Sequence, residues 1–268
     1  MSRSLSRRLR RYRTTLGGVL AYASLAAFWR RPPRKTFIIF GQDRTGSSLL
    51  QRLLNCSPDI YCDNEILTQK VLWPQLTVKA LSMRHPGKVY GCKVRCHAIV
   101  RQGIRPKDFL LGHHERGGQI IYLRRENIVL QSISRMIVEQ VERWRTDRQA
   151  YEARRNRKFY IDCPTLLRQL AWREKQLVQE QQALMDIPHL PLVYERHLLE
   201  ADSHQKTLKE VFDYLGVVPA PVQARLVRTS PERLADVLEN FEEVAGTITN
   251  SRYASFFELE TATSRMGG

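Results

Sequence analysis

The sequence predicts an α/β fold, a single domain with a central, mostly parallel sheet flanked by helices. Short runs rich in β-branched and aromatic residues, Thr36 to Phe40 and Gln119 to Leu123, read as buried strands. Segments of helical spacing lie between them, the alternation that builds a parallel sheet. The first run also passes directly into a glycine-bearing loop and then a helix. With 268 residues, 43% of them hydrophobic, the chain is long enough for a full core, and it contains no internal repeat or low-complexity tract. Residues 1–35 form a basic N-terminal arm, residues 36–260 the domain, and residues 261–268 a C-terminal tail.

The formal net charge is +16, and residues 1–35 carry ten Lys/Arg with no Asp or Glu, which leaves +6 on the remainder. A moderately basic body suits a small polyanionic ligand. No nucleic-acid motif is present, so nucleic acid is not an expected partner. The arm reads MSRSLSRRLRRYRTT, then LGGVLAYASLAAFW, then RRPPRK. Its apolar part is shorter than the ~20 residues that cross a bilayer. A signal peptide ending at Ala21-Tyr22-Ala23, a short membrane anchor, an interfacial helix drawn to anionic lipid, and a helix packed on the domain all remain open. Peripheral attachment to a membrane surface from the cytoplasm is the favoured reading, with anchoring by the N-terminal segment as the alternative. Pro32-Pro33 separates the arm from the domain. The five cysteines (Cys56, Cys62, Cys92, Cys96, Cys163) form no CxxC pair, which argues against a disulfide framework and a zinc site and for reduced, mostly buried thiols.

The first strand enters FGQDRTGSSLLQRLL, Phe40 to Leu54. Gly41 to Ser48 makes the turn, and Leu49 to Leu54 has helical spacing. Strand, glycine loop and helix together aim backbone N–H groups and a helix N-terminus at an anion, so the architecture is P-loop-like. Against the pattern G-x-x-x-x-G-K-[ST], Gly41 and Gly46 match, but Ser47 stands where a nucleotide triphosphatase has its lysine. The cation here is Arg44, on the other side of Gly46. A lysine in the usual place reaches the outer phosphates of a triphosphate together with magnesium. Arg44 instead covers one phosphate and its leaving oxygen, so no metal is expected.

Arg44-Thr45-Gly46-Ser47-Ser48-Leu49 resembles the 5′-phosphosulfate loop of sulfotransferases that use 3′-phosphoadenosine 5′-phosphosulfate (PAPS), most closely the carbohydrate and nodulation-factor branches. The resemblance implies that Arg44, Thr45, Gly46, Ser47 and Ser48 hold the donor's 5′ end. It also implies an arginine at the end of a later strand and a serine eight positions on, which together hold the 3′-phosphate. Arg124 and Ser132 meet that spacing after the strand at residues 119–123, whereas the eighth successor of Arg125 is Ile133, which cannot donate. Leu190-Pro191-Leu192-Val193-Tyr194-Glu195 resembles the family's late strand with a Tyr-Glu ending. An amphipathic helix from Thr207 follows, stopped by Gly216.

The resemblance implies direct in-line transfer of a sulfuryl group to a hydroxyl of a carbohydrate or glycolipid acceptor. Arg44 would neutralise the departing phosphate, and Glu65, in the segment from Asp59 to Leu67, would be the base. His97 and His85 remain alternatives for the base, because other sulfotransferase branches use histidine. Lys93, on a strand ending near the same edge, either touches the reacting groups or is structural. A basic helical stretch at residues 134–185 (Arg135, Arg143, Arg145, Arg148, Arg154, Arg155, Arg157 and Lys158, with Trp144 and Tyr151) is either an acceptor surface or a solvated face. A P-loop kinase with an altered loop, and a membrane-associated nucleotide-binding protein without catalysis, are the competing functions.

Overall fold

A computed structural model describes residues 35–145, 158–219 and 234–256. Five strands, β1 (Thr36–Phe40), β2 (Ile60–Glu65), β3 (Val89–Val94), β4 (Gln119–Arg124) and β5 (Leu190–Val193), form one sheet in the order β2-β3-β1-β4-β5. Every pairing is parallel, with Ile38 of the central strand opposite Cys92 on one side and Ile120 on the other. The α/β class is as the sequence predicts, and the sheet is wholly rather than mostly parallel.

The described residues gather into two compact units. The first, residues 35–124 and 178–219, contains the sheet. Successive side chains of β1 point to opposite faces. Phe37 and Ile39 pack with Leu50, Leu53 and Leu54 of α1 (Ser47–Leu54) and with Leu208, Val211 and Phe212 of α8 (Ala201–Leu215). Ile38 and Phe40 pack on the other face with Val78 of α2 (Pro74–Ser82), Ile99 of α3 (Cys96–Arg101) and Phe109 of α4 (Pro106–Glu115). Both faces of the central strand are therefore dry, which is why it reads as an unbroken apolar run.

The second unit, residues 125–145, 158–177 and 234–256, is helical. It contains α5 (Ile128–Arg145), the first part of α6 (Cys163–Leu184), α9 (Leu234–Val237) and α10 (Phe241–Thr249). Val129, Ile133, Leu166, Leu170, Val244 and Ile248 form its core. Asn240 ties two segments of this unit together, accepting from the Ile161 N–H at 3.0 Å and donating to the Ile161 carbonyl at 2.9 Å.

Residues 60–65 form an edge strand that was not among the expected elements. Two expectations on element bounds change. The strand expected to end at Tyr194-Glu195 ends at Val193, and Tyr194 opens a short helix, α7 (Tyr194–His197). The helix expected from Thr207 begins at Ala201 and does stop at Gly216, whose φ of 67° suits glycine. Four of the five cysteines are buried and Cys56 is exposed. Residues 1–34 of the N-terminal arm and the C-terminal tail lie outside the described residues, among which no helix is long and apolar enough to cross a membrane.

Candidate functional site: an anion-binding cleft at the end of the central strand

The loop from Gly41 to Gly46 joins β1 to α1, and two of its positions admit only glycine. Gly41 has φ 152°, and a Cβ there would lie 2.1 Å from the carbonyl oxygen of Leu123. Gly46 has φ 85°, and a Cβ there would lie 2.5 Å from Cδ2 of Tyr194. Arg44, at φ 61°, also occupies the left-handed region, a cost that a non-glycine residue bears only where its surroundings impose it. The N–H groups of Leu49 and Leu50 both donate to the Gly46 carbonyl, at 2.9 and 3.0 Å, so the helix winds up immediately after the glycine. No side chain among the described residues caps it. Its first N–H groups and its positive dipole end are thus available to an anion.

Thr45 is buried, and its hydroxyl donates to the Gln42 carbonyl at 3.0 Å. A hydroxyl has one proton to give, so any contribution of Thr45 to an anion comes through its backbone N–H. Ser47 lines the cleft, and Ser48 beside it is exposed.

The neighbouring strand brings cations to the same edge. Lys93 is 5% exposed, and its Nζ donates to Ser48 Oγ at 3.0 Å. Burial pulls the Lys93 pKa below its ordinary value, against the opposing pull of Glu65. Glu65 reaches this place through an irregularity in β2. Cys62 lies opposite Gly91 but Glu65 lies opposite Lys93, so three steps on β2 match two on β3. A bulge of this kind re-aims the side chains beyond it. The Glu65 carboxylate forms an ion pair with Arg95. Gly41, Gln42, Thr45, Ser47, Glu65, Lys93 and Arg95 together line a small, open cleft.

Of the residues singled out in the sequence, Thr45, Ser47, Glu65 and Lys93 share this cleft, while Arg44 is half-buried in the loop beside it and outside its lining. Arg124 ends β4 in the first unit. Ser132 lies in the second turn of α5 in the second unit, fully buried, where its Oγ accepts a 3.0 Å hydrogen bond from Arg173 Nε. Arg125 is also buried. His85 does not belong to this edge. It stacks on Tyr61 with ring centroids 3.6 Å apart, ahead of the start of β3, so a strand's length separates it from the cleft. His97 lies in the first turn of α3, just beyond the end of β3. Tyr194 lies against Gly46 and is 8% exposed.

In the basic stretch, Arg135 pairs with Glu139 at 2.7 Å and Lys158 donates to the Ala235 carbonyl at 2.7 Å. Arg148, Tyr151, Arg154, Arg155 and Arg157 lie outside the described residues, as do the side chains of Arg143, Trp144 and Arg145. Among the described residues no group of three or more His, Cys, Asp or Glu side chains is gathered as for a metal ion. Sequence reasoning missed Arg95 and Gln42. Arg95 stands just past the end of β3, at the start of α3.

No protein-family model matches the chain, and no curated protein matches it. Among solved structures, the crystal structure of a sulfotransferase from Alicyclobacillus acidocaldarius aligns at 13% identity with a TM-score of 0.44, over 81% of this chain and 93% of that one.

Proposed function

We propose that the protein is a PAPS-dependent sulfotransferase acting on a hydroxyl of a carbohydrate or glycolipid. The observation that carries this reading is the Gly41–Gly46 loop. It presents an uncapped helix N-terminus at the carboxyl end of the central strand, and its nearby cations are Arg44, Lys93 and Arg95 rather than a lysine at position 47. Such a set suits one phosphosulfate rather than a magnesium-bound triphosphate.

PAPS supplies an already activated sulfuryl group. The backbone N–H groups of the loop, with Ser47 and Arg44, hold the 5′-phosphate and neutralise the charge that grows on its bridging oxygen. Glu65, within the same cleft, accepts the acceptor's hydroxyl proton. The acceptor oxygen forms the new O–S bond as the old S–O bond breaks, and that electron pair stays on the departing adenosine 3′,5′-bisphosphate. Lys93, fixed on Ser48, adds positive charge next to the reacting group. The eight-residue spacing of Arg124 and Ser132 supports assigning them to the 3′-phosphate. The basic sequence of residues 1–35 supports a membrane surface as the place of work.

Incubation with radiolabelled PAPS and candidate glycans or lipid extracts, with and without EDTA, tests the reading. Label transferred despite the chelator supports it. A strict requirement for magnesium and ATP would replace it with a kinase.

A further inference from the structure

We propose that Arg95 is an anion ligand of this cleft as well as the tether of Glu65, so that one guanidinium links occupancy of the donor site to the placement of the carboxylate. The identity of the donor rests on the function proposed above; the role of Arg95 rests on the chemistry of its own side chain. A guanidinium offers five N–H donors in a planar fork and accepts nothing. One arm of that fork is engaged, since Nη2 donates to Glu65. The Nε–H is buried and meets no acceptor among the described residues. A donor enclosed in that way marks a place where an acceptor belongs.

The charges around it say what kind of acceptor. Lys93 and Arg95 face a single carboxylate, Glu65, beside an uncapped helix N-terminus, so the cleft carries surplus positive charge. Lys93 donates to Ser48, and Arg95, just past β3, adds an enclosed donor that no acceptor meets among the described residues. Burial depresses the Lys93 pKa, and an added oxyanion would oppose that depression. The ligand class is a tetrahedral oxyanion, sulfuryl or phosphoryl, and not a neutral sugar hydroxyl. The ion pair alone does not account for the residue, because its partners are 19% and 28% exposed, and pairs open to water to that extent contribute little to folding.

The test uses the full chain and the variants Arg95→Ala, Arg95→Lys and Glu65→Gln. Inorganic sulfate should raise the melting temperature of the wild type and hardly move that of Arg95→Ala. By calorimetry the Kd for PAPS should rise about tenfold in Arg95→Ala, the scale of one lost charge-assisted hydrogen bond. Arg95→Lys keeps the charge and the Glu65 partner but not the fork, and should lose affinity about threefold at an unchanged melting temperature. Glu65→Gln removes the carboxylate that competes for the guanidinium and should bind PAPS no more weakly than wild type. A purely structural ion pair would make Arg95→Ala and Glu65→Gln alter stability and Kd alike, and that result overturns the proposal. Wild-type affinity in both Arg95 variants overturns it too, while leaving the sulfotransferase reading intact. Sulfate binding through Arg95 without any binding of PAPS has the opposite meaning, since Arg95 keeps its role and the donor assignment fails.

Discussion

Replacing Gly46 with alanine should test the loop geometry most directly. Two separate costs arise. The left-handed backbone at φ 85° penalises any side chain by about 1–2 kcal/mol. The new Cβ would also lie 2.5 Å from Cδ2 and 2.9 Å from Cε2 of Tyr194, and a contact that close forces a packed ring to shift, at about 1–3 kcal/mol more. Gly87 provides the control, because its φ is 80° but a Cβ there would meet nothing within 4 Å. Urea denaturation should therefore show Gly46→Ala losing about 2–5 kcal/mol and Gly87→Ala about 1–2 kcal/mol. The difference isolates the clash. It should shrink in a Gly46→Ala, Tyr194→Ala background, where the ring is gone and the nearest remaining contact is Leu198 Cδ1 at 3.4 Å. Equal losses at the two glycines would refute the packing of Tyr194 on the loop. Calorimetry with adenosine 3′,5′-bisphosphate should show Gly46→Ala binding more weakly, since the N–H groups that face the anion move with the loop.

The other predictions concern charge, the neighbouring strand and the proposed chemistry. His113 is 5% exposed, and burial pushes its pKa down from 6.5 to about 4. The unfolded chain therefore takes up more protons between those values, and stability should fall by roughly 3 kcal/mol as the pH drops from 6.5 to 4. His113→Gln should flatten that part of a denaturation-versus-pH curve, and an unchanged slope would remove His113 as its source. Asn55→Ala should cost about 1–2 kcal/mol in urea denaturation and also slow turnover, because the Asn55 amide accepts from the N–H and donates to the carbonyl of Cys62, at 2.6 and 2.8 Å, where β2 bends toward Glu65. Arg44→Ala should reduce kcat at least about a hundredfold in the label-transfer assay, the loss typical of removing one charge-stabilising group. Arg124→Ala should chiefly raise the KM for PAPS; equal effects of the two arginine changes on kcat would undo that division of roles. Glu65→Gln should nearly abolish transfer, and a near-wild-type rate would move His97 into the role of base.

The frame of the sheet was legible because β1 and β4 are buried on both faces and therefore spell nearly continuous apolar runs. The loop was legible because its glycines and hydroxyl residues are contiguous. The edge strand was not. Its end, Asp63-Asn64-Glu65, has turn composition, and only its pairing with β3 across an irregular register makes it a strand. Arg95 escaped for a related reason, since a cation just past a strand reads as a solvated residue until its partner Glu65, 30 positions earlier in the chain, is placed beside it. The expected 3′-phosphate pair illustrates the converse. Spacing selects Ser132, but no sequence pattern foretells that its hydroxyl is met by the Arg173 guanidinium, 41 positions later.

The clamp on Cys62 has a consequence for how the molecule behaves in company. β2 is the outermost strand on its side of the sheet, and an outermost strand offers unpaired backbone groups that another chain's strand can adopt. Gln51 of α1 and Asn55, which caps its C-terminus, already fill the rung at Cys62. A foreign strand would have to evict both amides before it could zip on, so the rim that carries Glu65 is shielded from self-association by the same helix that presents the loop.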